Sequence, residues 1–464
     1  MEKFFKLKEH STNVKTETIA GITTFLAMAY ILAVNPSMLA SAGMDKGAVF
    51  TATAVSAAFA TLMMAVFANY PVALASGMGL NAYFTFSVCI PLAKQGVQDP
   101  WKIALTAILC EGIIFVVLSL FKFRETLVNS IPKNLKLGIT AGIGLFIAII
   151  GLKGAGVVLS DAYSVGNDVV VSDTLVKLGD FSNPAFVLAL VGLIAIAVLS
   201  HYKVKGAILI GIVGTWLLGI IAELTGWYVV GPAVGAFSLI PNFQDWSILP
   251  PSMAPTFFKF DFAWAGKHIV DFAVIVFSFL FVDLFDTVGT LVGVASKADL
   301  LDEKGDLPKA GPALMSDAVG TIVGSCFGTS TVTSYVESSA GVSAGGRTGL
   351  TSVVTAIMFI VALFFSPIFL AIPAFATAPA LIYVGLLMMS SVTKMDFEND
   401  MADTLGGFLA IIMMPFTYSI ANGIMFGILA WVIIKLLQGK PKKIHPVMYI
   451  ASVLFLIRII TLVV

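Results

Sequence analysis

The residues best suited to chemistry in this sequence are acids that lie within otherwise apolar runs. Asp283 and Asp286 lie three residues apart in the run 268–295, which places both carboxyl groups on one face of a helix. Two carboxylates repel each other in a medium of low dielectric constant, and burial disfavours their charge, so at least one is expected to hold a proton near neutral pH. The pair could carry a coupling proton, or it could serve structure by hydrogen bonding to hydroxyl and backbone groups.

A third acid, Glu337, lies in a segment rich in small polar residues. Its carboxylate could accept two parallel N–H donors from a planar heterocycle. The structural alternative is a glutamate that caps a helix near its N-terminus, and both roles could hold together. The neighbouring candidates for ligand contact are Thr333, Ser334 and Tyr335.

Asn81 is a fourth candidate and lies two residues after Gly79. Its side chain offers one acceptor and two donors, which suits the edge of a purine, but it could equally cap a short helix that follows Gly79. Three other charged residues are weaker candidates. Glu111 has no evident partner, whereas Asp317 and Arg347 could be gating or packing groups.

The sequence offers no pattern for several other chemistries. The four histidines lie at the ends of apolar runs or in loops, so no metal site is predicted. No Walker loop, Gly-x-Ser-x-Gly elbow or HExxH motif is present, so ATP-driven pumping and hydrolysis lack the residues they require. A membrane-embedded protease is disfavoured because its paired aspartates must face each other, usually from separate elements. We therefore expect neither enzyme activity nor a bound cofactor.

Composition indicates which solvent surrounds these residues. Only 12% of the 464 residues are charged and 58% are apolar, against about 25% and 45–50% in soluble proteins. Too few charges remain to cover a water-facing surface. The 27 basic residues equal the 27 acidic residues in number, so no basic excess exists to attract nucleic acid. The three cysteines lie in apolar stretches without CxxC spacing, and a disulfide framework is not expected.

Apolar runs near the length that a bilayer requires, about 20 residues, recur along the whole chain. They predict an all-α polytopic membrane protein with about 14 transmembrane segments. The predicted segments are 18–39, 49–68, 71–92, 101–121, 137–152, 184–199, 206–224, 268–295, 309–327, 328–345, 349–365, 378–392, 404–420 and 422–437. A further apolar run, 448–464, is either another span or a helix at the membrane interface.

Basic residues predict the orientation of these segments. Lysines precede the first segment and follow the fourth, sixth, eighth and fourteenth, all of which fall on one side if the count is right. That side should be cytoplasmic, together with the N-terminus. The predicted divisions are a cytoplasmic tail (1–17), a first repeat of seven segments (18–226), an extracellular linker (227–267), a second repeat of seven (268–438) and a basic linker with an extra apolar helix (439–464).

Seven is an odd number, so the second set of segments enters the membrane from the opposite side and an inverted repeat is expected. The third and tenth segments occupy matching places, and each is interrupted by glycines and small polar residues. Non-helical backbone at membrane depth persists only where it is buried in protein or lines a cavity. The pair therefore predicts a polar binding site, although closely packed kinked helices would be a structural alternative.

Four stretches that contain these residues resemble the nucleobase:cation symporter-2 family, and within it the AzgA-like adenine/guanine/hypoxanthine permeases. The stretches are 20–36, 76–84, 284–291 and 330–341, and they are distributed over both halves of the chain. The resemblance implies the uracil-permease fold, with two inverted repeats of seven segments arranged as a core and a gate domain. It also implies short antiparallel strands in the third and tenth segments, beside the substrate.

Residue by residue, the resemblance implies that Asp283, Glu337, Gly79 and Asn81 bind the substrate and that Asp286 is the second acid of the eighth segment. It implies the proton as coupling ion, with Asp283, Asp286 and Glu337 as the candidate proton-coupling residues, and it makes a homodimer plausible. The expected function is proton-coupled import of purine nucleobases across the cell membrane by alternating access. Two alternatives stay open: a sulfate- or bicarbonate-type anion transporter of the same fold, and an uncoupled nucleobase facilitator.

Overall fold

The structure is a computed structural model that describes residues 2–120, 132–165, 168–231, 238–241, 249–298, 300 and 307–463. Within these residues, nine helices are long and apolar enough to cross a membrane. The prediction of a mostly helical, polytopic membrane protein is therefore confirmed. Segment 121–131, with the basic residues Lys122 and Arg124, and parts of the predicted linker 227–267 lie outside the described residues.

The described residues of the first half of the chain form ten helices and three strands. They are α1 (Glu2–Phe5), α2 (Val14–Met28), α3 (Ile31–Ala40), α4 (Lys46–Met63), β1 (Leu74–Ser76), α5 (Met78–Ala82), α6 (Ile90–Lys94), α7 (Pro100–Leu120), α8 (Lys133–Gly154), β2 (Val158–Val165), β3 (Asp168–Leu178), α9 (Pro184–His201) and α10 (Ala207–Leu224). Two π-helical stretches, Met64–Ala68 and Tyr83–Cys89, extend α4 and join α5 to α6.

In the second half, the part of the chain that the structure describes forms ten helices and one strand. They are α11 (Phe262–Lys267), α12 (Ile269–Lys297), α13 (Ala310–Phe327), β4 (Val332–Ser334), α14 (Ser338–Ser343), α15 (Gly349–Ala362), α16 (Ser366–Ala371), α17 (Ala374–Met389), α18 (Met401–Phe416), α19 (Ile420–Leu437) and α20 (Pro446–Val463). Each of the fourteen predicted segments overlaps at least one helix of the described residues, and the third and tenth overlap the broken strand–helix elements β1–α5 and β4–α14.

Two strands lie where broken segments were predicted. Strand β1 of the third segment pairs antiparallel with β4 of the tenth, and Ala75 lies opposite Thr333. Backbone bonds extend the pairing beyond the strands, from Gly77 N to Thr331 O (3.0 Å) and from Tyr335 N to Ala73 O (2.9 Å). The pairing satisfies backbone groups that would otherwise be orphaned at membrane depth, because each strand supplies the other's partners.

The helices form two packing groups. The first contains α2, α3, α4, α7, α12, α13, α14 and α15, and the second contains α8, α9, α10, α17, α18 and α19. In the second group glycines let backbones touch: a Cβ on Gly144 would lie 2.7 Å from Gly385 O, and one on Gly138 would lie 2.5 Å from Gly407 O. Small residues at such crossings permit close approach where no hydrophobic effect drives association.

Helix α20 packs on both groups through one face. Met448, Ala451 and Phe455 are buried, and the ring of Phe455 lies 5.7 Å from the ring of Phe277 in α12. The same helix also contacts α19. Ile450 on its other face is 67% exposed, which suits contact with lipid.

A buried carboxylate joins the start of the first segment to the start of the eleventh. Glu17 on α2 accepts hydrogen bonds from the backbone N–H of Arg347 (2.9 Å), Thr348 (3.3 Å) and Thr351 (3.1 Å), and from Thr351 Oγ1 (2.6 Å). These donors lie at and before the N-terminus of α15, where amide groups lack helical partners and the helix dipole favours negative charge. Glu17 therefore caps a helix from a neighbouring element.

Removing this cap should destabilise the protein. Glu17→Ala leaves several buried donors unsatisfied, at a cost of about 1–3 kcal/mol each, so we expect a lower thermal unfolding midpoint in detergent. Glu17→Gln keeps one acceptor oxygen and should lose less. Glu9→Gln, in a side chain that is 65% exposed, is the matched control and should leave the midpoint unchanged. Equal midpoints for Glu17→Ala and the wild type would exclude the capping role.

Candidate functional site

The β1–β4 pair places two helix starts next to one cavity. Helix α5 begins immediately after Gly77, and α14 begins immediately after Glu337. Gly77 permits the close approach of the two broken segments, because a Cβ at this position would lie 2.5 Å from Thr333 Cγ2. The third and tenth segments are thereby locked together beside the cavity.

We call this space the central cavity; it lies where the two packing groups meet. Its lining residues are Tyr30, Gly77, Met78, Gly79, Asp286, Thr290, Ser334, Tyr335, Val336, Glu337, Val384 and Met388. Two of them, Asp286 and Thr290, lie on α12 of the first packing group, and Val384 and Met388 lie on α17 of the second. The other eight lie on α5, on β4 or in the chain next to α3, α5 and β4. Two carboxylates lie among these residues, and no lysine, arginine or histidine does.

Glu337 is held in the cavity wall by a tyrosine from a distant part of the chain. The phenol of Tyr30 donates a hydrogen bond to Glu337 Oε1, at 2.7 Å. The side chain of Tyr30 is buried, whereas Glu337 is partly exposed to the cavity. A hydrogen bond of this kind fixes the orientation of the carboxylate and leaves further lone pairs for a ligand. Sequence reasoning did not identify Tyr30, which lies within a continuous apolar run.

Asp286 and Asp283 have different surroundings although they lie on one face of α12. Asp286 lines the central cavity. Asp283 is fully buried behind it, and its Oδ1 accepts from Thr287 Oγ1 at 3.1 Å. The same hydroxyl lies 3.0 and 3.1 Å from the two carboxylate oxygens of Asp317 on α13, and 2.7 Å from Thr333 Oγ1. Thr287 therefore links two buried carboxyl groups.

This cluster, Asp283–Thr287–Asp317, constrains where protons lie. A hydroxyl has one proton to donate, yet it faces two carboxyl groups that, when ionised, can only accept. A proton on either carboxyl group resolves the conflict, because a protonated carboxyl can donate to the hydroxyl oxygen. The geometry thus suits a site that takes up and releases a proton. Asp317 had been predicted only as a gating or packing residue.

Asn81 and Tyr335 connect the broken segments to each other. The amide of Asn81 accepts from the hydroxyl of Ser330 and lies 3.4 Å from Ser76 O. The phenol of Tyr335 donates to Ser76 O at 2.5 Å. Asn81 is buried and does not line the cavity, so the contacts that it makes here fix the scaffold.

The other predicted residues either line the cavity or lie behind it. Gly79 and Ser334 line the cavity, whereas Thr333 points to Thr287. A Cβ on Gly79 would lie 2.7 Å from Ile143 Cγ2 of α8, so this glycine lets the second packing group approach. Glu111, for which the sequence named no partner, lies 3.4 Å from Thr331 Oγ1. The structure therefore brings Gly79, Ser334, Tyr335, Asp286 and Glu337 together and places Asn81, Asp283 and Thr333 behind them.

Comparison with solved structures shows the same fold in known transporters. The transmembrane domain of a cyanobacterial bicarbonate transporter, BicA, superposes with a TM-score of 0.62, covering 90% of this chain and 97% of that chain at 17% identity. Murine Slc26a9, an anion transporter in the inward-facing state, superposes with a TM-score of 0.63 over 91% of this chain and 68% of that one at 12% identity. Identities this low establish the fold alone.

Sequence relatives match the chain over its whole length. The adenine permease AdeP of Escherichia coli is 40% identical over 99% of this chain and 96% of its own. The guanine/hypoxanthine permease PbuO of Bacillus subtilis is 42% identical over 99% of this chain and 100% of its own. Residues 15–426 match the model of a family described as the permease family, Xan_ur_permease. The resemblance found in the sequence is thereby confirmed, and the chain belongs to this family of multi-pass membrane permeases.

Proposed function

We propose that the protein imports purine nucleobases across the cell membrane in symport with protons. The observation that carries the proposal is the central cavity, in which Glu337, oriented by Tyr30, faces the junction of the two packing groups beside Asp286. The names of the relatives, adenine and guanine/hypoxanthine permeases, support purines as the substrate class. Glu337 accepts N–H donors of the purine, and backbone groups near Gly79 and Thr333–Tyr335 complete the contacts.

Acidic lining favours a nucleobase over an anion. The solved structures with this fold include a bicarbonate transporter, so the anion alternative has a structural basis. Positive charge favours an anion, whereas the described side chains that line the central cavity include two carboxylates and no cation. The same carboxylates suit the N–H groups of a purine ring.

Proton coupling is assigned to the acids of α12. In the proposed cycle, Asp283 takes up a proton from the outside and releases it to the cytoplasm, while Thr287 links it to Asp317. Asp286 transmits the change of charge to the cavity. The first packing group then moves against the second, which exposes the cavity alternately to the two sides. The two predicted repeats, 18–226 and 268–438, supply the matching broken segments for this movement.

The proposed topology follows the positive-inside rule. The lysines that precede α2 support a cytoplasmic N-terminus. The lysines that follow α19 support a cytoplasmic position for the C-terminal end of that helix. The proposal includes a homodimer as the assembled form, on the strength of the family resemblance alone.

Uptake in cells that lack their own purine carriers tests the proposal. We expect saturable uptake of labelled hypoxanthine, guanine or adenine that falls sharply when the proton gradient is collapsed. Uptake that persists at reduced accumulation would identify an uncoupled facilitator. Absence of purine uptake by protein shown to be in the membrane would overturn the proposed substrate.

A further inference from the structure

A second cavity lies between the same two packing groups, and we call it the vestibule. Its volume is about 310 Å³, and it is bounded by α3 and Phe86 on one side and by α8, α17 and Tyr418 on the other. Val34 lines it four residues after Tyr30, and Leu381 lines it three residues before Val384. The vestibule therefore lies about one helical turn, roughly 5 Å, from the central cavity along both helices. The positive-inside rule places this end of the protein outside the cell.

A lysine without an acidic partner faces the vestibule. Lys153 lies in the last turn of α8 and is partly buried, and its Nζ lies 4.8 Å from the ring centroid of Tyr418. No carboxylate of the described residues lies within 4.0 Å of it. The ring and the C-terminal end of the helix offset part of the cost of keeping this charge in a membrane domain. The ammonium group keeps donors for a ligand.

Three aromatic rings, those of Tyr418, Phe146 and Phe86, lie beside this lysine, and we call them the aromatic wall. The ring of Tyr418 packs edge-on against Phe146 of α8 (5.4 Å) and against Phe86 of the π-helical stretch Tyr83–Cys89 (5.8 Å). The backbone of Tyr418 has a φ of +52°, in the left-handed region that aromatic residues rarely adopt. Conformations of this kind persist where the surroundings enforce them, and they concentrate at ligand sites. The wall is therefore held in a fixed orientation.

A buried hydroxyl completes the polar groups of the vestibule. Ser37 lines the space, and its Oγ has no hydrogen-bond partner among the described residues. A change of its side-chain rotamer would let this hydroxyl pair with a ligand in the vestibule. Cation, hydroxyl and aromatic wall together suit a flat heterocycle that carries hydrogen-bond acceptors on one edge.

The chemistry of the lysine selects among purines. A 6-oxopurine presents O6 and N7 as adjacent acceptors, whereas adenine replaces the first with an amino donor. Lysine has three donors and no acceptor, so it can bind the edge of hypoxanthine or guanine but has no acceptor for the amino group of adenine. We propose that the vestibule is a second and weaker binding site for 6-oxopurines, in which Lys153 donates to the O6/N7 edge. This inference rests on purines being the substrate class.

Equilibrium dialysis of the purified protein with labelled hypoxanthine tests the inference. We expect two equivalents bound per chain in the wild type, with unequal affinities. Glu337→Gln should remove the tighter equivalent, whereas Lys153→Met should weaken the looser one at least about tenfold, the effect of about 1.4 kcal/mol. Lys153→Arg keeps the donors and should retain both. Adenine keeps N7 as an acceptor but has an amino donor in place of O6, so it should compete for the tighter equivalent and more weakly for the looser one.

The outcomes separate this inference from the proposed function. One equivalent in the wild type, or two equivalents that Lys153→Met leaves unchanged, would overturn the vestibule site and leave purine transport intact. Absence of any purine binding would overturn both. If Lys153→Met lost both equivalents, Tyr418→Leu would decide: selective weakening of the looser equivalent supports the site, and its retention refutes it.

Discussion

Glu337→Gln is expected to lower purine uptake about a hundredfold, the largest single effect that the structure predicts. The change keeps the size of the side chain but removes the charge and replaces one acceptor oxygen with a donor. Hydrogen bonds to charged groups contribute about 1.5–3 kcal/mol each, so losing one or two of them accounts for this magnitude. The measurement is the initial rate of labelled hypoxanthine uptake, normalised to the amount of protein in the membrane.

Tyr30→Phe is the matched variant, because it removes only the hydrogen bond that orients Glu337. The carboxylate would stay in place but lose its fixed direction, so we expect a KM about tenfold higher with little change in the maximal rate. A substitution that acted through misfolding would reduce the amount of protein in the membrane instead. If Glu337→Gln took up purine at the wild-type rate, Glu337 would not be a substrate-binding residue.

The sequence predicted the broken segments well because their signal is local. Glycines and small polar residues interrupt apolar runs at matching places, and the strands Leu74–Ser76 and Val332–Ser334 form there. Burial at membrane depth permits few other uses for such residues. Glu337 and Asp286 were identified for the same reason, since an acid in an apolar run stands out in any reading of the chain.

The partners of these acids could not be predicted, because they come from distant parts of the chain. Tyr30 contacts Glu337 across 307 residues, and the hydroxyl of Thr287 lies between the carboxyl groups of Asp317 and Asp283. Neither tyrosine nor threonine stands out in an apolar run. Glu17 was passed over in the same way, because its partners are backbone groups that every residue carries.

Backbone irregularities were also beyond the reach of sequence patterns. The predicted segment 18–39 is divided in the structure between α2 and α3, although its apolar character is continuous. The stretch between the fifth and sixth predicted segments, for which no regular structure was predicted, contains the paired strands β2 and β3. In both cases composition specifies the solvent that surrounds a segment, while packing against neighbours decides its conformation.

Asp283→Asn is expected to uncouple transport from the proton gradient, the second large effect. Asparagine has nearly the shape of aspartate but cannot take up or release a proton. A membrane potential of 100 mV is worth about 2.3 kcal/mol per charge moved, which corresponds to about fiftyfold accumulation. In proteoliposomes with that potential imposed, the wild type should approach this ratio, whereas Asp283→Asn should fall towards unity while substrate still crosses.

The different positions of the two aspartates make this prediction specific. Asp286 lines the central cavity, so Asp286→Asn should raise the KM, whereas Asp283 lies behind the cavity and its replacement should change the KM only a few-fold. Thr287→Ser retains the bridging hydroxyl and serves as the control, and Thr287→Val removes it and should resemble Asp283→Asn. If Asp283→Asn still accumulated substrate fully, a residue other than Asp283 would carry the coupling proton. Asp317 would then be the next residue to replace, because its carboxyl group faces the same hydroxyl from α13.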